Sequence, residues 1–251
     1  MDRQQLLSAA AAFVRDHLAG DSSGHDWWHI DRVRSAALAI AREERADLFV
    51  VELAALLHDV DDWKLVSHRR AGQAGSASAD PPEPAPNHGG PALARPTLRV
   101  GARSLFHPTL AQEWMEVQQV EPVIIEHVCR IIGELSFKGA GVATPMTSLE
   151  GQCVQDADRL DALGAVGIGR TFAYGGHTGQ PMHDPELSPT QHESFEAYKS
   201  NVGTTINHFY EKLLLLKDRM NTAAAKNLAA GRHAYMEQFL AQFLAEWEGR
   251  R

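Results

Sequence analysis

The stretch Leu53-Ala-Ala-Leu-Leu-His-Asp-Val-Asp-Asp62 carries the clearest structural and chemical pattern of this 251-residue chain. Its apolar residues, with those just before it, recur at three and four positions, which predicts a helix over 47–62. The helix ends in a histidine followed by acidic residues. Since adjacent side chains diverge by about 100° on a helix, His58 and Asp59 can converge on one ion only near its end.

Two other segments offer the same kinds of side chain. His29 lies in Gly24-His-Asp-Trp-Trp-His-Ile-Asp-Arg-Val33, and an acidic run, Gln155-Asp-Ala-Asp-Arg-Leu-Asp161, follows about a hundred residues later. Two imidazoles and two carboxylates suit a hard or borderline divalent ion that keeps open positions for water and substrate. Because the pattern contains no cysteine, it is not that of a closed structural zinc site.

The composition narrows the class of protein. Hydrophobic residues make up 44% of the chain and charged residues 22%, as is usual for globular proteins. A net charge of −8 argues against a protein that binds duplex nucleic acid. No apolar stretch reaches the roughly 18 residues of a membrane span. The two cysteines, Cys129 and Cys153, lie in apolar helical patterns, which predicts free buried thiols in a cytoplasmic protein.

Helical spacing dominates the chain, while alternating strand patterns are scarce. The predicted fold is therefore all-α, with one domain over residues 1–251. The predicted helices cover 3–18, 26–44, 47–62, 110–134, 148–172, 192–216 and 222–248. The last helix, which carries Phe239, Phe243 and Trp247, is predicted to form core or an oligomer contact.

Residues 67–108 interrupt the helical pattern with many glycines and prolines among alanine and serine. Such a composition cannot sustain a helix or bury much surface, so we interpret the segment as a mobile insertion. It begins a few residues after His58-Asp59. It is therefore either a lid over the site or a passive surface insertion.

The acidic run contains more carboxylates than one ion needs. Asp156 and Asp158 differ by about 200° around the helix axis, so both cannot face the same ion. Asp158 shares its face with Val154 and Ala162, and these small neighbours let it point inward. Asp161 is predicted to bind Arg159, Arg170 or a water molecule, or to be solvated.

The order H…HD…D resembles the HD-domain metal-dependent phosphohydrolases. In that pattern the ligand acid is followed by a basic residue and a large apolar one, as in Asp158-Arg-Leu160. Six blocks also resemble a bacterial stand-alone subgroup that includes nucleoside triphosphate pyrophosphohydrolases acting on deoxynucleotides. The resemblance covers most of the chain outside 67–108, and its blocks are 25–33, 53–62, 132–139, 154–162, 170–176 and 207–213.

The resemblance implies a set of roles. Asp62, one helical turn beyond His58, aligns or deprotonates the attacking water. The favoured reaction converts a (deoxy)nucleoside triphosphate to a monophosphate and pyrophosphate. The implied ligands of one Mn²⁺ or Mg²⁺ ion are His29, His58, Asp59 and Asp158.

Four further residues are predicted to contact the substrate. Lys138 and Lys64 offer point charges to phosphate, although each is equally well read as a solvated lysine. His127 is predicted either to contact phosphate or to be an ordinary helical histidine. His25 shares a face with His29 at a spacing of four residues, which places it near the site.

Three other functions remain as alternatives: a nucleotide monoesterase of the same fold, an HD-fold di-iron oxygenase, and a non-catalytic nucleotide-binding module. The oxygenase would need histidines for a second metal, and His127 with His25 or His107 could supply them. The expected partner is a small phosphate ester, with no duplex nucleic acid, no membrane, and homo-oligomer formation left open.

Overall fold

The computed structural model describes residues 2–19, 26–61, 109–135, 144–190 and 203–250. Within these ranges the regular elements are helical and no strand is present, which confirms the predicted all-α class. Two short 3₁₀ helices, Leu213–Leu215 and Lys217–Arg219, follow the α-helix Thr205–Glu211. The α-helices are α1 Arg3–His17, α2 Trp27–Glu44, α3 Leu48–Leu57, α4 Thr109–Val117, α5 Pro122–Glu134, α6 Leu149–Asp161, α7 Gly164–His177, α8 Thr205–Glu211 and α9 Ala223–Trp247.

The predicted insertion 67–108 and the beginning of the predicted helix 192–216 lie outside the described residues. The described residues on either side of the insertion pack together as one compact unit. None of the described helices combines the length and the apolar character needed to cross a membrane.

Helix α3 is the centre of this unit. Eight of its ten residues are buried, including every position from Leu53 to Leu57. A helix that is apolar on all sides is stable only when it is surrounded. Helices α1, α2, α5 and α6 all pack against α3. The end of α3, where His58 follows, is therefore held in place from several sides.

Helix α2 makes its most extensive contacts with α6. Ile30, Val33 and Ala37 on α2 are buried, and so are Val154 and Ala157 on α6. Small residues on both helices let the two backbones approach closely. This packing brings the first turn of α2 beside the last turn of α6.

Two predicted long helices are wrong because each contains a break that apolar spacing does not reveal. In the predicted helix 110–134, α4 ends at Val117, Gln119 adopts a positive φ of 58°, and Pro122 begins α5. In the predicted helix 148–172, α6 ends at Asp161, and α7 begins at Gly164 with a φ of 72°. A glycine adopts that backbone conformation without strain.

The predicted helix 192–216 also extends too far. Helix α8 ends at Glu211, since Lys212 leaves the helical region with φ −139° and ψ −57°. The predicted helix 222–248 agrees closely with α9, which spans Ala223–Trp247. The Phe239 and Phe243 rings of α9 lie against Phe172 of α7, each at a centroid distance of 6.0 Å. These rings therefore contribute to the packing of α9 on α7.

Both cysteines are buried and free, as predicted. Burial raises the pKa of the Cys129 thiol to about 11 and that of Cys153 to about 12, with nearby carboxylates adding to the effect. The thiolate forms are therefore scarce at neutral pH, and both side chains behave as small apolar groups.

Two glycines of α7 give a matched test of this packing. A methyl group at Gly167 would collide with the backbone carbonyl of Ala162, whereas one at Gly169 would meet no atom within 4 Å. Gly167→Ala should lower the free energy of unfolding by about 1–3 kcal/mol through overpacking. Gly169→Ala should raise it by up to about 1 kcal/mol through helix propensity. Chemical denaturation measures both, and equal effects of the two substitutions would contradict the close approach of Ala162 to α7.

Candidate metal centre

His29 lies in the first turn of α2 and is completely buried. The helix begins at this point because the Asp26 carboxylate accepts a hydrogen bond of 3.0 Å from the His29 backbone N–H. Buried Ile30 and Val33 hold the same turn against the core. The imidazole thus projects inward from a capped, packed helix end.

The two nitrogens of the His29 ring face different carboxylates. Nδ1 donates to Asp161 Oδ2 at 2.8 Å, because an ionised carboxylate can only accept. Nε2 lies 3.3 Å from Asp59 Oδ2 and 3.6 Å from Asp158 Oδ1. The ring therefore joins Asp161 on one side to the Asp59 and Asp158 carboxylates on the other.

His58 reaches the same point from α3. The helix ends at Leu57, so His58 and Asp59 lie in the turn that follows, as their convergence requires. His58 Nδ1 donates to the Ala55 carbonyl at 2.8 Å. Its Nε2 is buried, lies 3.5 Å from Asp59 Oδ1, and forms no hydrogen bond within the described part of the chain. A backbone carbonyl on Nδ1 is the usual support of a histidine that binds a metal through Nε2.

These side chains form a compact cluster. One potential ligand atom from each of His29, His58 and Asp158 lies within 4.8 Å of the others, and the two rings are 5.3 Å apart between centroids. An ion with nitrogen and oxygen ligands at about 2.1 Å holds neighbouring ligand atoms about 3 Å apart. The separations here reach as much as 4.8 Å, so the ligand atoms would have to move closer together to coordinate one ion. The two imidazoles and the Asp158 carboxylate form a group whose chemistry suits a divalent ion, and Asp59 lies beside both histidines.

The electrostatics of the cluster favour a positive charge at its centre. Burial lowers the pKa of His29, but hydrogen bonds with Asp161 and Asp59 outweigh it and raise that pKa from 6.5 to about 9. Without an ion, the imidazole is thus protonated at neutral pH. A divalent ion would replace the Nε2 proton and bind the same carboxylates.

Asp161, at the end of α6, is surrounded by donors. Besides His29, it accepts from Arg32 Nε at 2.8 Å, Arg32 Nη2 at 3.1 Å and Arg170 Nη1 at 2.8 Å. Burial acts to raise the pKa of Asp161, but the hydrogen bonds from His29 and Arg32 and the charge of Arg170 lower it well below the usual range. Asp161 is therefore an ionised, buried carboxylate.

Asp156 and Asp158 have different surroundings. Asp158 is partly exposed beside His29. Asp156 is fully buried and accepts four hydrogen bonds of 2.8 Å from the backbone and side chains of Asn221 and Thr222. It thus holds the start of α9, whereas Asp158 lies at the cluster.

Of the residues predicted to take part in catalysis or substrate binding, the structure describes only His127. Asp62, His25, Lys64 and Lys138 all lie outside the described residues. His127 lies on α5 with its Nε2 3.6 Å from Glu150 Oε2. Glu150 precedes Asp158 by eight residues, about 12 Å along α6. His127 therefore lies roughly two helical turns from the cluster.

The contacts of Asp161 with His29 and with Arg32 were not predicted from the sequence. Arg170 was considered as a partner of Asp161, but His29 was not. One signal was present: Arg32 follows His29 by three residues and so shares its face of α2. Two basic groups on one helix face, opposite an acidic helix end, could have suggested the cluster.

Comparison with known proteins identifies relatives of the whole chain. Models of known protein families give no match. Bacillus subtilis YpgQ is 36% identical over 231 residues, which are 92% of this chain and 88% of YpgQ. A Lactobacillus plantarum crystal structure shares 35% identity with a TM-score of 0.75, covering 99% of this chain and all of that one.

Two further crystal structures bear on chemistry. An HD-superfamily hydrolase from Bacillus thuringiensis is 38% identical, with a TM-score of 0.64 and coverage of 98% and 99% of the two chains. A structure of B. subtilis YpgQ in complex with ADP has a TM-score of 0.62 at 30% identity, covering 96% of each chain. With this identity over nearly its full length and this shared helical fold, the chain belongs to the HD superfamily of hydrolases.

Proposed function

We propose that the chain is a metal-dependent phosphohydrolase that cleaves (deoxy)nucleoside triphosphates to monophosphates and pyrophosphate. One observation carries the proposal: His29 Nε2 faces Asp59 and Asp158, and His58 Nε2 faces Asp59 and lies in the same group of potential ligands as Asp158. Hard divalent ions with open positions are the usual cofactors of phosphate-ester hydrolysis. We therefore assign these four side chains as ligands of Mn²⁺ or Mg²⁺.

A nucleotide substrate is supported by a relative. The YpgQ structure contains ADP, and YpgQ matches this chain over almost its entire length. In the proposed reaction, a water oxygen bonds to the α-phosphorus and the bond to the bridging oxygen breaks. Pyrophosphate leaves with that electron pair, and the water proton passes to a carboxylate.

Protein residues divide this work. When bound, a divalent ion supplies Lewis acidity beside the phosphorus. Asp62 receives the proton of the attacking water, while Lys64, Lys138 and His25 contact phosphate oxygens. His127, because of its distance along α6, could contact only a part of the substrate remote from the ion. These roles rest on the sequence, except that the structure gives the position of His127.

Several expectations stay predictions within this proposal. They are the cytoplasmic location, the small-molecule partner rather than duplex nucleic acid, and the single domain over residues 1–251, while homo-oligomer formation stays open. The choice between a lid and a passive insertion for 67–108 concerns residues that lie outside the described ranges.

Hydrolysis in H₂¹⁸O tests both the substrate and the bond. The Mn²⁺- or Mg²⁺-loaded protein is incubated with nucleoside tri-, di- and monophosphates, and products are identified by mass. Attack at the α-phosphorus should place ¹⁸O in the nucleoside monophosphate and leave pyrophosphate unlabelled.

Other outcomes of this experiment identify the alternatives. Orthophosphate released from monophosphates indicates a monoesterase, and ¹⁸O in pyrophosphate indicates attack at the β-phosphorus. Two bound irons with oxygen consumption indicate the oxygenase. Tight nucleotide binding without turnover, whichever metal is supplied, indicates the non-catalytic module. Each of these results would contradict the proposed reaction.

The proton acceptor can be tested separately from the metal. Asp62→Asn keeps the size of the side chain but removes its basicity, so kcat should fall by about 10²-fold or more while metal remains bound. Asp61→Asn is the matched control. Asp61 accepts hydrogen bonds from the Leu110 and Ala111 backbones at 2.9 and 3.1 Å, so its loss should affect the start of α4 rather than kcat.

Steady-state kinetics and metal analysis of the two variants decide between the possible roles. If Asp62→Asn loses its metal together with its activity, Asp62 is a ligand or a structural support. If Asp61→Asn and Asp62→Asn reduce kcat equally, neither residue is distinguished as the base.

A further inference from the structure

Asp161 is a buried carboxylate that connects three helices. It terminates α6, is 5% exposed, and accepts from His29 and Arg32 of α2 and from Arg170 of α7. A charge so deeply buried is stable only when it is fully paired. These contacts therefore form a buried hydrogen-bond network, which differs from an exposed ion pair on the surface.

The geometry separates Asp161 from the proposed ligands. Its Oδ2 atom lies 2.8 Å from Nδ1 of His29, on the opposite side of the ring from Nε2. Nε2 is the atom that faces Asp59 and Asp158. Asp161 therefore contacts the back of a ligand and does not face the ion.

We propose that Asp161 is a positioning residue that sets the orientation of His29 for metal binding. By accepting from Nδ1, it keeps the proton on that nitrogen and leaves the Nε2 lone pair for the ion. A carboxylate partner also makes the imidazole a stronger electron donor. The inference rests on the metal site of the proposed function but not on the identity of the substrate.

Arg32 and Arg170 fix Asp161 in turn. Arg32 binds both carboxylate oxygens through Nε and Nη2, and this two-point contact prevents rotation of the carboxylate. Arg170, on α7, donates a further hydrogen bond to Asp161 Oδ2. Because Arg32 and His29 belong to the same turn of α2, the position of the imidazole depends on the packing of α2 against α6.

The same helix provides a matched control for this inference. Asp156 is also buried on α6 and also accepts four hydrogen bonds, but its partners are Asn221 and Thr222 and none belongs to the metal cluster. Asp161→Asn and Asp156→Asn therefore remove equal charges from two buried positions of one helix. Only the first removes the charged acceptor that faces His29 Nδ1.

The readout is Mn²⁺ affinity by isothermal titration calorimetry, with melting temperatures measured in parallel. Both variants should melt at a lower temperature than the wild type. Asp161→Asn should weaken Mn²⁺ binding by about 10–100-fold, the usual effect of losing such a partner. Asp156→Asn should leave the affinity close to that of the wild type.

Arg32→Gln keeps the test decisive if Asp161→Asn does not fold. Arg32 is 38% exposed on its side chain, so the substitution is tolerable, and it frees the carboxylate to rotate. It should weaken Mn²⁺ binding by a smaller factor. Equal affinities in all variants, or equal losses in Asp161→Asn and Asp156→Asn, would overturn the positioning role. Wild-type binding of Mn²⁺ tests the site itself, so the two failures are distinguishable.

Discussion

The hydrogen bond between His29 Nδ1 and Asp161 Oδ2 is the contact on which the candidate site depends. It joins the first turn of α2 to the last residue of α6, the two helices that pack most extensively. Through it, a residue that is 132 positions away in sequence determines which ring nitrogen faces Asp59 and Asp158. Packing of the core and the chemistry of the site are therefore linked through one carboxylate and its arginine partners.

Burial strengthens the hydrogen bond between His29 and Asp161 but also makes each charge costly to leave unpaired. His29 and Asp161 are both nearly inaccessible to water, so each is stable in its charged form because it is paired, His29 with Asp161 and Asp59, and Asp161 with His29 and two arginines. Burial acts to lower the pKa of His29 and to raise that of Asp161, and hydrogen bonding outweighs it in each case. A divalent ion fits this environment because it can replace the proton on Nε2 without leaving Asp59 or Asp158 uncompensated.

Much of the architecture follows from the sequence, and the failures have local causes. Apolar spacing predicted the all-α class and the course of α2, α3 and α9, because their buried faces are continuous. It did not reveal the breaks near Gln119 and Gly164, since a positive φ at one residue does not alter the apolar pattern. The sequence also selected the four ligand candidates, which the structure brings together. The pairing of Asp161 with His29 was not predicted, because a side-chain contact across 132 residues depends on how the helices pack.

The most direct test of the central claim is electron spin echo envelope modulation of the Mn²⁺-loaded protein, which detects nitrogen bound to the ion. The account predicts two coordinated imidazole nitrogens, from His29 and His58, and only one in His58→Ala at saturating Mn²⁺. His233→Ala, which alters another buried histidine paired with Glu237 on α9, should retain both. A spectrum without nitrogen modulation, or one unchanged by His58→Ala, would contradict the proposed metal centre.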